Sequence, residues 1–203
     1  MLSIRDPVHG FVRADALEAA LINSQPVQRL RFIHQLGFTF LVFPGAEHSR
    51  FGHVIGAMHL AGRVYDALCS KSGGLLPGGV NSAESPERRL TRAAALLHDL
   101  GHAPFSHSAE DLFAGGIDHE EMTRRLLDSP EIEAIFARHG DGLGTADVRR
   151  ILHGGGTPTE RLLAKIVSGE LDVDKMDYLL RDSLFCGVRY GTYDLERLLD
   201  TMQ

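Results

Sequence analysis

The sequence is poor in cysteine and has no long apolar run. Its two cysteines, Cys69 and Cys186, lie far apart and form neither a metal-binding pair nor a disulfide framework. This sparse use of cysteine fits a reducing, cytoplasmic setting. No stretch approaches the ~20 consecutive apolar residues that a membrane helix requires, and the N-terminal residues lack the apolar segment of a signal peptide. We therefore predict a cytoplasmic protein that does not enter a membrane.

The chain also lacks an excess of positive charge. Its formal net charge of −6 argues against broad, nonspecific binding to nucleic acid, although a local basic pocket for a phosphorylated ligand remains compatible with it. Apolar residues make up 43% of the sequence, which is typical of a globular chain and excludes intrinsic disorder. A length of 203 residues suits one domain, or at most two small ones.

Helical periodicity dominates the chain after an N-terminal segment with a turn at residues 6–10, which is typical of a small β-hairpin. Helices are predicted over about 16–23, 26–35, 50–71, 87–99, 107–113, 119–128, 131–138, 145–152, 158–168 and 172–184, and from 193 to the end. We expect residues 38–43 to be extended and residues 72–86, rich in Gly, Ser and Pro, to form a surface loop. The predicted fold class is mainly all-α with a small N-terminal hairpin.

An apolar helical stretch ends directly in the dipeptide His98-Asp99. Two ionisable groups buried at the end of such a helix are unfavourable without partners, and a divalent metal would satisfy both at once. Imidazole and carboxylate suit Zn, Fe, Mn or Ni. For the dipeptide alone, the more conservative interpretation is capping, with His98 closing one helix and Asp99 starting the next turn.

Residues in two further segments of the chain favour a metal site over capping. His53 lies upstream, and Asp174, Tyr178 and Arg181 lie downstream at positions i, i+4 and i+7, on one stripe of a helix. A stripe of carboxylate, phenol and guanidinium suits a pocket that holds a metal and a phosphate. The alternatives are an ordinary helix histidine for His53 and a solvated face for the carboxylates around Asp174.

The order His, His-Asp, Asp is typical of HD-domain phosphohydrolases, and the chain resembles one branch of them, the deoxynucleoside triphosphate triphosphohydrolases. These include the bacterial dGTPase-like enzymes and the SAM-and-HD-domain enzymes. Five blocks carry the resemblance, in the same order: Asp6–Gly10, Gln28–Gly37, Phe43–Phe51, His98–His107 and Asp172–Tyr178. The resemblance implies a single HD domain over residues 1–203, truncated relative to full-length family members, with the helical HD fold.

The resemblance also implies one divalent metal, either a transition metal (Fe, Mn, Zn or Ni) or Mg. Its ligands would be His53, His98, Asp99 and Asp174. Two imidazoles and two carboxylates leave positions open for water and a phosphate oxygen, which is the arrangement of a catalytic rather than a structural site.

The same resemblance implies the proton-transfer residues. His107 would be the general acid, oriented by Glu110. His102 and His119 would line the α-phosphate pocket and could take part in the proton transfer. Family members often carry Asp at the position of Glu110, which is one methylene longer. The alternatives are a helix N-terminal residue for His107 and an exposed helix-start residue for His119.

Substrate contacts follow from the same blocks. Arg50 and Lys175 match positions that hold phosphates, with Tyr178 as a hydrogen-bond donor, and Gln35 and Asp182 match positions that bind the sugar 3′-hydroxyl. The implied reaction releases a deoxynucleoside and inorganic triphosphate.

A regulatory nucleotide site matches only in part. Gln28, Arg31 and Arg197 are present, but Asn23 replaces an Asp and Leu2 replaces a basic residue. Relatives form dimers or higher oligomers, so we also expect a homo-oligomer.

Two other functions remain open. The same metal site would support a phosphomonoesterase or phosphodiesterase acting on other nucleotides. The chain could instead be a nucleotide-binding regulatory module with little activity, although the complete ligand set argues against this.

Overall fold

The structure, a computed structural model, describes residues 1–72, 85–105 and 118–202. The predicted helix over 107–113 and most of the predicted loop over 72–86 lie outside these ranges. Within them the chain forms two antiparallel strands and ten α-helices, which confirms the mainly α fold with an N-terminal hairpin. None of the helices in these ranges is both long and apolar enough to cross a membrane.

The elements follow one another along the chain with short connections. Their bounds are β1 Leu2–Asp6, β2 Gly10–Ala14, α1 Ala16–Asn23, α2 Gln25–Arg29, α3 Arg50–Lys71, α4 Pro86–Leu97, α5 His119–Leu127, α6 Pro130–His139, α7 Thr145–Leu152, α8 Pro158–Val167, α9 Val173–Cys186 and α10 Leu195–Thr201. Two short 3-10 turns, Leu30–Phe32 and Thr39–Leu41, connect α2 to α3.

The N-terminal hairpin pairs β1 with β2, with Leu2 opposite Ala14 and Asp6 opposite Gly10. Its turn is closed by the Asp6 side chain, because one carboxylate oxygen accepts the backbone N–H groups of Val8 and His9 at 2.9 Å each. Such Asx turns are a common way to close a tight loop. The turn directs the His9 side chain inward, where only 2% of it is exposed.

Helix α3 is the centre of the fold. It packs most extensively against α4 and α9, and residues such as Leu60, Ala61 and Tyr65 are fully buried along it. Because α3 touches both neighbours, residues near its start can meet the end of α4 and the start of α9. This meeting point is where the candidate site lies.

Helix starts agree well with the capping signals. Asp15 forms a capping box with Glu18, in which each side chain bonds the other residue's backbone N–H. Helix α3 begins after Ser49 as predicted, but the Ser49 side chain makes no capping hydrogen bond. Asp172 caps α9 by accepting the backbone N–H of Lys175 at 2.8 Å.

Two expectations between α2 and α3 were wrong. The helix predicted over 26–35 ends at Phe32, because Ile33 becomes extended and its carbonyl accepts the Arg50 N–H that opens α3. Residues 38–43 are not extended, because the Thr39 carbonyl accepts the N–H groups of Val42 and Phe43 in a 3-10 turn. At Ile33 pairing with a distant segment outweighs the local pattern, whereas at Thr39 a local turn replaces the expected extended chain.

Candidate metal centre

Three helices bring the predicted ligands together. His53 lies in the first turn of α3, His98 and Asp99 directly follow α4, and Asp174 lies in the first turn of α9. His53, His98 and Asp99 each offer a ligand atom within 4.8 Å of the other two. The structure therefore contains a His-His-Asp cluster able to hold a metal ion.

Asp174 adds a second carboxylate to this cluster. Its Oδ1 lies 3.0 Å from His53 Nε2 and 3.7 Å from His98 Nε2. Asp99 approaches the same nitrogens from the other side, at 3.8 Å from His53 and 3.4 Å from His98. Both imidazoles thus present Nε2 to both carboxylates.

The second nitrogen of each imidazole is already engaged. His98 Nδ1 donates to the Ala95 carbonyl at 2.8 Å, and His53 Nδ1 donates to Asp177 at 2.8 Å. In a neutral imidazole protonated at Nδ1, Nε2 carries a free lone pair. Both Nε2 atoms are buried and make no hydrogen bond among the described residues. Buried polar atoms are normally satisfied, and a cation between the carboxylates would satisfy both, so the residues present fit a divalent metal.

The capping interpretation of His98 is correct for one nitrogen only. His98 occupies the C-cap position of α4 and its Nδ1 bonds a carbonyl of the last turn. That bond leaves Nε2 facing Asp99 and Asp174. Capping therefore orients His98 for ligation instead of competing with it.

The electrostatics of the cluster show a surplus of negative charge. Burial lowers the pKa of His53, but the carboxylates of Asp174 and Asp177 outweigh it and raise that pKa to about 10. Burial would raise the pKa of Asp99, yet His98, His102 and Arg50 hold it well below its usual range. A metal binding here must displace a proton from His53, so its affinity depends on pH.

Arg50, His102 and His119 form a wall beside the cluster. The buried Arg50 guanidinium bonds Asp99, and His102 Nε2 lies 3.3 Å from the same carboxylate. His102 and His119 stack with ring centroids 4.2 Å apart. Burial lowers the pKa of His102 to about 4, so its imidazole is neutral near pH 7. The stack favours a site position for His119 over an exposed helix-start residue.

One cavity, of about 150 Å³, borders the cluster and is lined by His98, Asp99 and Asp174 together with His119 and Arg124. A second, of about 260 Å³, lies further along α9 and is mostly apolar. Its lining includes Leu36, Thr39, Phe43, Tyr178, Asp182, Cys186 and Tyr190. We call this second space the α9 cavity.

The predicted substrate residues fall into different places. Tyr178 and Asp182 line the α9 cavity, and Asp182 accepts a hydrogen bond from His48 at 2.7 Å. The buried Gln35 Oε1 makes no hydrogen bond within the described ranges. Lys175 instead directs its amine to Asp172 at 2.6 Å and to the Gly169 carbonyl at 2.9 Å.

Several predicted residues are not brought to the site. His107 and Glu110 lie outside the described residues. Gln28 and Arg31 bond each other near the start of α3, and Arg31 lies over Phe51. Arg197 pairs with Asp200 on α10, which contacts α3 through Arg63 and Glu196, about 18 Å further along the helix. Within one chain, Gln28 and Arg31 therefore do not meet Arg197 in a common site.

Arg181 differs from its predicted role. It is 1% exposed, and its guanidinium bonds Asp177 at 2.8 Å and Asp6 at 2.9 Å. It is therefore not open to a phosphate. Sequence reasoning also missed Asp177 and His9, which lie directly behind His53. The spacing of Asp177 four residues before Arg181 on a helix is the sequence signal that could have indicated the Asp177–Arg181 pair.

Comparisons with known proteins agree with this geometry. The family model for the HD domain matches residues 50–182. The chain is 40% identical over 201 residues to the uncharacterized protein YwfO of Bacillus subtilis, covering 98% of this chain and 43% of that protein. It is 36% identical to the deoxynucleoside triphosphate triphosphohydrolase SAMHD1 homolog of Dictyostelium discoideum, covering 97% of this chain and 38% of that protein.

A solved structure shows the same fold. The crystal structure of a phosphohydrolase from Bacteroides thetaiotaomicron superposes with a TM-score of 0.79 at 34% identity, covering 98% of this chain and 46% of that one. The chain thus spans less than half the length of each of these relatives.

Proposed function

This chain belongs to the HD-domain family of phosphohydrolases, and from that premise we propose that it hydrolyses deoxynucleoside triphosphates to a deoxynucleoside and inorganic triphosphate. The observation that carries the proposal is the pair of buried, unbonded Nε2 atoms of His53 and His98 among the described residues, facing two carboxylates. The α9 cavity, whose lining begins on α9 at Tyr178, one helical turn after Asp174, would supply the room for a nucleoside.

The proposed metal ligands are His53, His98, Asp99 and Asp174. A divalent metal bound there would polarise a phosphoryl oxygen and lower the pKa of a coordinated water. Two imidazoles and two carboxylates accept several metals, so the donor set leaves the identity of the ion open. The chain's own contribution is to fix the direction of each ligand, through the Ala95 carbonyl for His98 and Asp177 for His53.

The phosphate side of the site is Arg50 with the stacked pair His102 and His119. A fixed guanidinium near the cluster stabilises charge that builds on a phosphoryl group in the transition state. His102 is neutral near pH 7 because burial lowers its pKa to about 4, so it would line the phosphate side as a neutral imidazole. The proton for the departing 5′-oxygen would come from His107, oriented by Glu110, as the family resemblance implies.

The nucleoside side is the α9 cavity. Tyr178 and Asp182 follow Asp174 at one and two helical turns, so a substrate whose phosphate lies at the cluster would extend along α9 towards them. His48 fixes the Asp182 carboxylate by a 2.7 Å hydrogen bond. The cavity's volume of about 260 Å³ is slightly below the usual range of small-molecule pockets, which begins at about 300 Å³. The SAMHD1 homolog named above supports the choice of a deoxynucleoside triphosphate.

A phosphomonoesterase or phosphodiesterase of other nucleotides is the second candidate, because the metal cluster alone is compatible with it. The specific observation in its favour is Lys175, whose amine bonds Asp172 and so does not reach towards a triphosphate. A regulatory module with little activity is a third candidate, disfavoured by the complete donor set.

The identity of the phosphate product separates these candidates. We would incubate the metal-loaded protein with the four deoxynucleoside triphosphates, matched ribonucleotides, nucleoside monophosphates and cyclic dinucleotides. Inorganic triphosphate and a deoxynucleoside in equal amounts support the proposal. Orthophosphate or opened diesters support the second candidate, and no product from any compound supports the third. The metal-stripped protein is the control for each reaction.

A further inference from the structure

We propose that Asp177 is the positioning residue of the metal centre and that the N-terminal hairpin holds it in place through His9 and Asp6. This inference rests on the proposed ligand role of His53 and is independent of which substrate is hydrolysed. Asp177 lies on α9 three residues after Asp174, but its side chain points behind His53, where it is fully buried.

The two oxygens of Asp177 accept four hydrogen bonds. Oδ2 accepts from His53 Nδ1 and Arg181 Nε at 2.8 Å each, and Oδ1 accepts from Arg181 Nη2 at 2.8 Å and from His9 Nε2 at 2.7 Å. An ionised carboxylate can only accept, so both histidines must donate the nitrogen that faces it. Asp177 therefore sets which nitrogen of His53 carries the proton.

This assignment turns His53 into a ligand. With the proton on Nδ1, the lone pair of Nε2 points at Asp99 and Asp174. Outer carboxylates of this kind fix the tautomer and ring orientation of metal-bound histidines, and their loss typically weakens metal affinity by ~10–100-fold.

Asp177 is in turn fixed by the hairpin. Arg181 Nη1 donates to Asp6 Oδ2 at 2.9 Å, and the other oxygen of Asp6 accepts the N–H groups that close the hairpin turn. The turn also directs His9 onto Asp177. The hairpin turn therefore contacts Asp177 directly through His9, and it contacts the Arg181 partner of Asp177 through Asp6.

Helix α3 carries glycines at two positions where Asp177 and Arg181 approach it closely. A Cβ atom on Gly56 would lie 1.8 Å from Asp177 Oδ1 and 2.4 Å from Arg181 Nη2. A Cβ atom on Gly52 would lie 3.3 Å from Arg181 Nη1. These glycines flank His53 on the same helix, so the close approach of Asp177 to His53 depends on both elements.

The test is the affinity of the protein for Co²⁺, followed by its visible absorption in competition with a chelator. Asp177→Asn replaces two acceptor oxygens by one and offers His53 an amide donor, which favours a proton on Nε2. We expect Co²⁺ affinity to fall by ~10–100-fold. The matched control is Glu18→Gln, which removes a charge from another buried carboxylate–guanidinium pair, with Arg92. The control is expected to bind Co²⁺ as the parent protein does.

Wild-type Co²⁺ affinity in folded Asp177→Asn would overturn the proposal, and so would an equal loss in Glu18→Gln. If Asp177→Asn does not fold, His9→Leu provides the second measurement, because it removes one of the four bonds and leaves the Arg181 pair. A smaller loss of Co²⁺ affinity, about 3–10-fold, supports the proposal there, and none contradicts it. Failure to release triphosphate from any nucleotide would end the proposed function and leave this result unchanged.

Discussion

The metal centre and the α9 cavity share one helix but are built on different principles. At the start of α9, Asp174 and Asp177 meet partners from two other segments, the hairpin and α3, and Asp177 also bonds Arg181 on α9 itself. Further along, Tyr178 and Asp182 face a mostly apolar space. The first region depends on the direction of individual lone pairs, whereas the second depends on shape. Single substitutions should therefore have larger effects at the metal centre than in the cavity.

The largest effect is expected for Asp99→Ala. Asp99 is a proposed ligand and also the partner of Arg50 and His102. We expect loss of bound metal and a fall in turnover of about 10³-fold or more, since a catalytic metal contributes several kcal/mol of transition-state stabilisation. Metal content by elemental analysis and turnover by product release measure the two together. Full metal occupancy in the variant would contradict the ligand assignment.

Acid pH should destabilise the rear of the metal centre through His59. This histidine lies against His9, with ring centroids 5.6 Å apart, and burial together with the electrostatic effects of His9, Arg92 and Arg63 lowers its pKa to about 4. The unfolded chain, with an ordinary pKa near 6.5, binds the proton more readily. The contribution of His59 to stability is therefore complete above pH 6.5 and declines as the pH falls towards 4.

His59→Gln isolates this contribution. With metal removed by a chelator, we expect the parent protein to lose about 1–2 kcal/mol more unfolding free energy between pH 7 and pH 5 than the variant does. Urea denaturation at the two pH values provides the measurement. Parallel losses in both proteins would show that His59 titrates normally, and acid sensitivity would then not distinguish the metal centre from the α9 cavity.

Sequence patterns predicted the fold well where local physics decides. The helices predicted over 16–23 and 50–71 coincide with α1 and α3. The same patterns failed between α2 and α3, where the Ile33 carbonyl accepts the N–H of the distant Arg50 and the Thr39 carbonyl closes a local 3-10 turn. A one-dimensional pattern carries no information about a distant partner such as Arg50, and an apolar run alone does not separate a strand from a short helical turn.

Local sequence patterns likewise predicted only part of the metal centre. His98-Asp99 is a local pattern, but its meeting with His53 and Asp174 depends on the packing of α3 against α4 and α9, and only the family resemblance supplied it. Asp177 was missed because a carboxylate three residues from a ligand resembles a solvated one in sequence. Arg181 was assigned to the pocket because its second partner, Asp6, lies 175 residues away along the chain and is not visible in a local pattern.

The α9 cavity has the smallest predicted effect and the most direct structural probe. Cys186 lines it, whereas the other cysteine, Cys69, is buried in the core. A thiol reagent should therefore label Cys186 selectively, and slowly, because burial and the Asp182 carboxylate raise its pKa. A deoxynucleoside at four times its Kd should slow labelling about fivefold, since only the free protein reacts. Inorganic triphosphate should not, because it is expected at the metal centre. Protection by triphosphate but not by the deoxynucleoside would reverse the assignment of the two regions. Protection by the deoxynucleoside alone would place the base and sugar along α9, away from the proposed metal ligands.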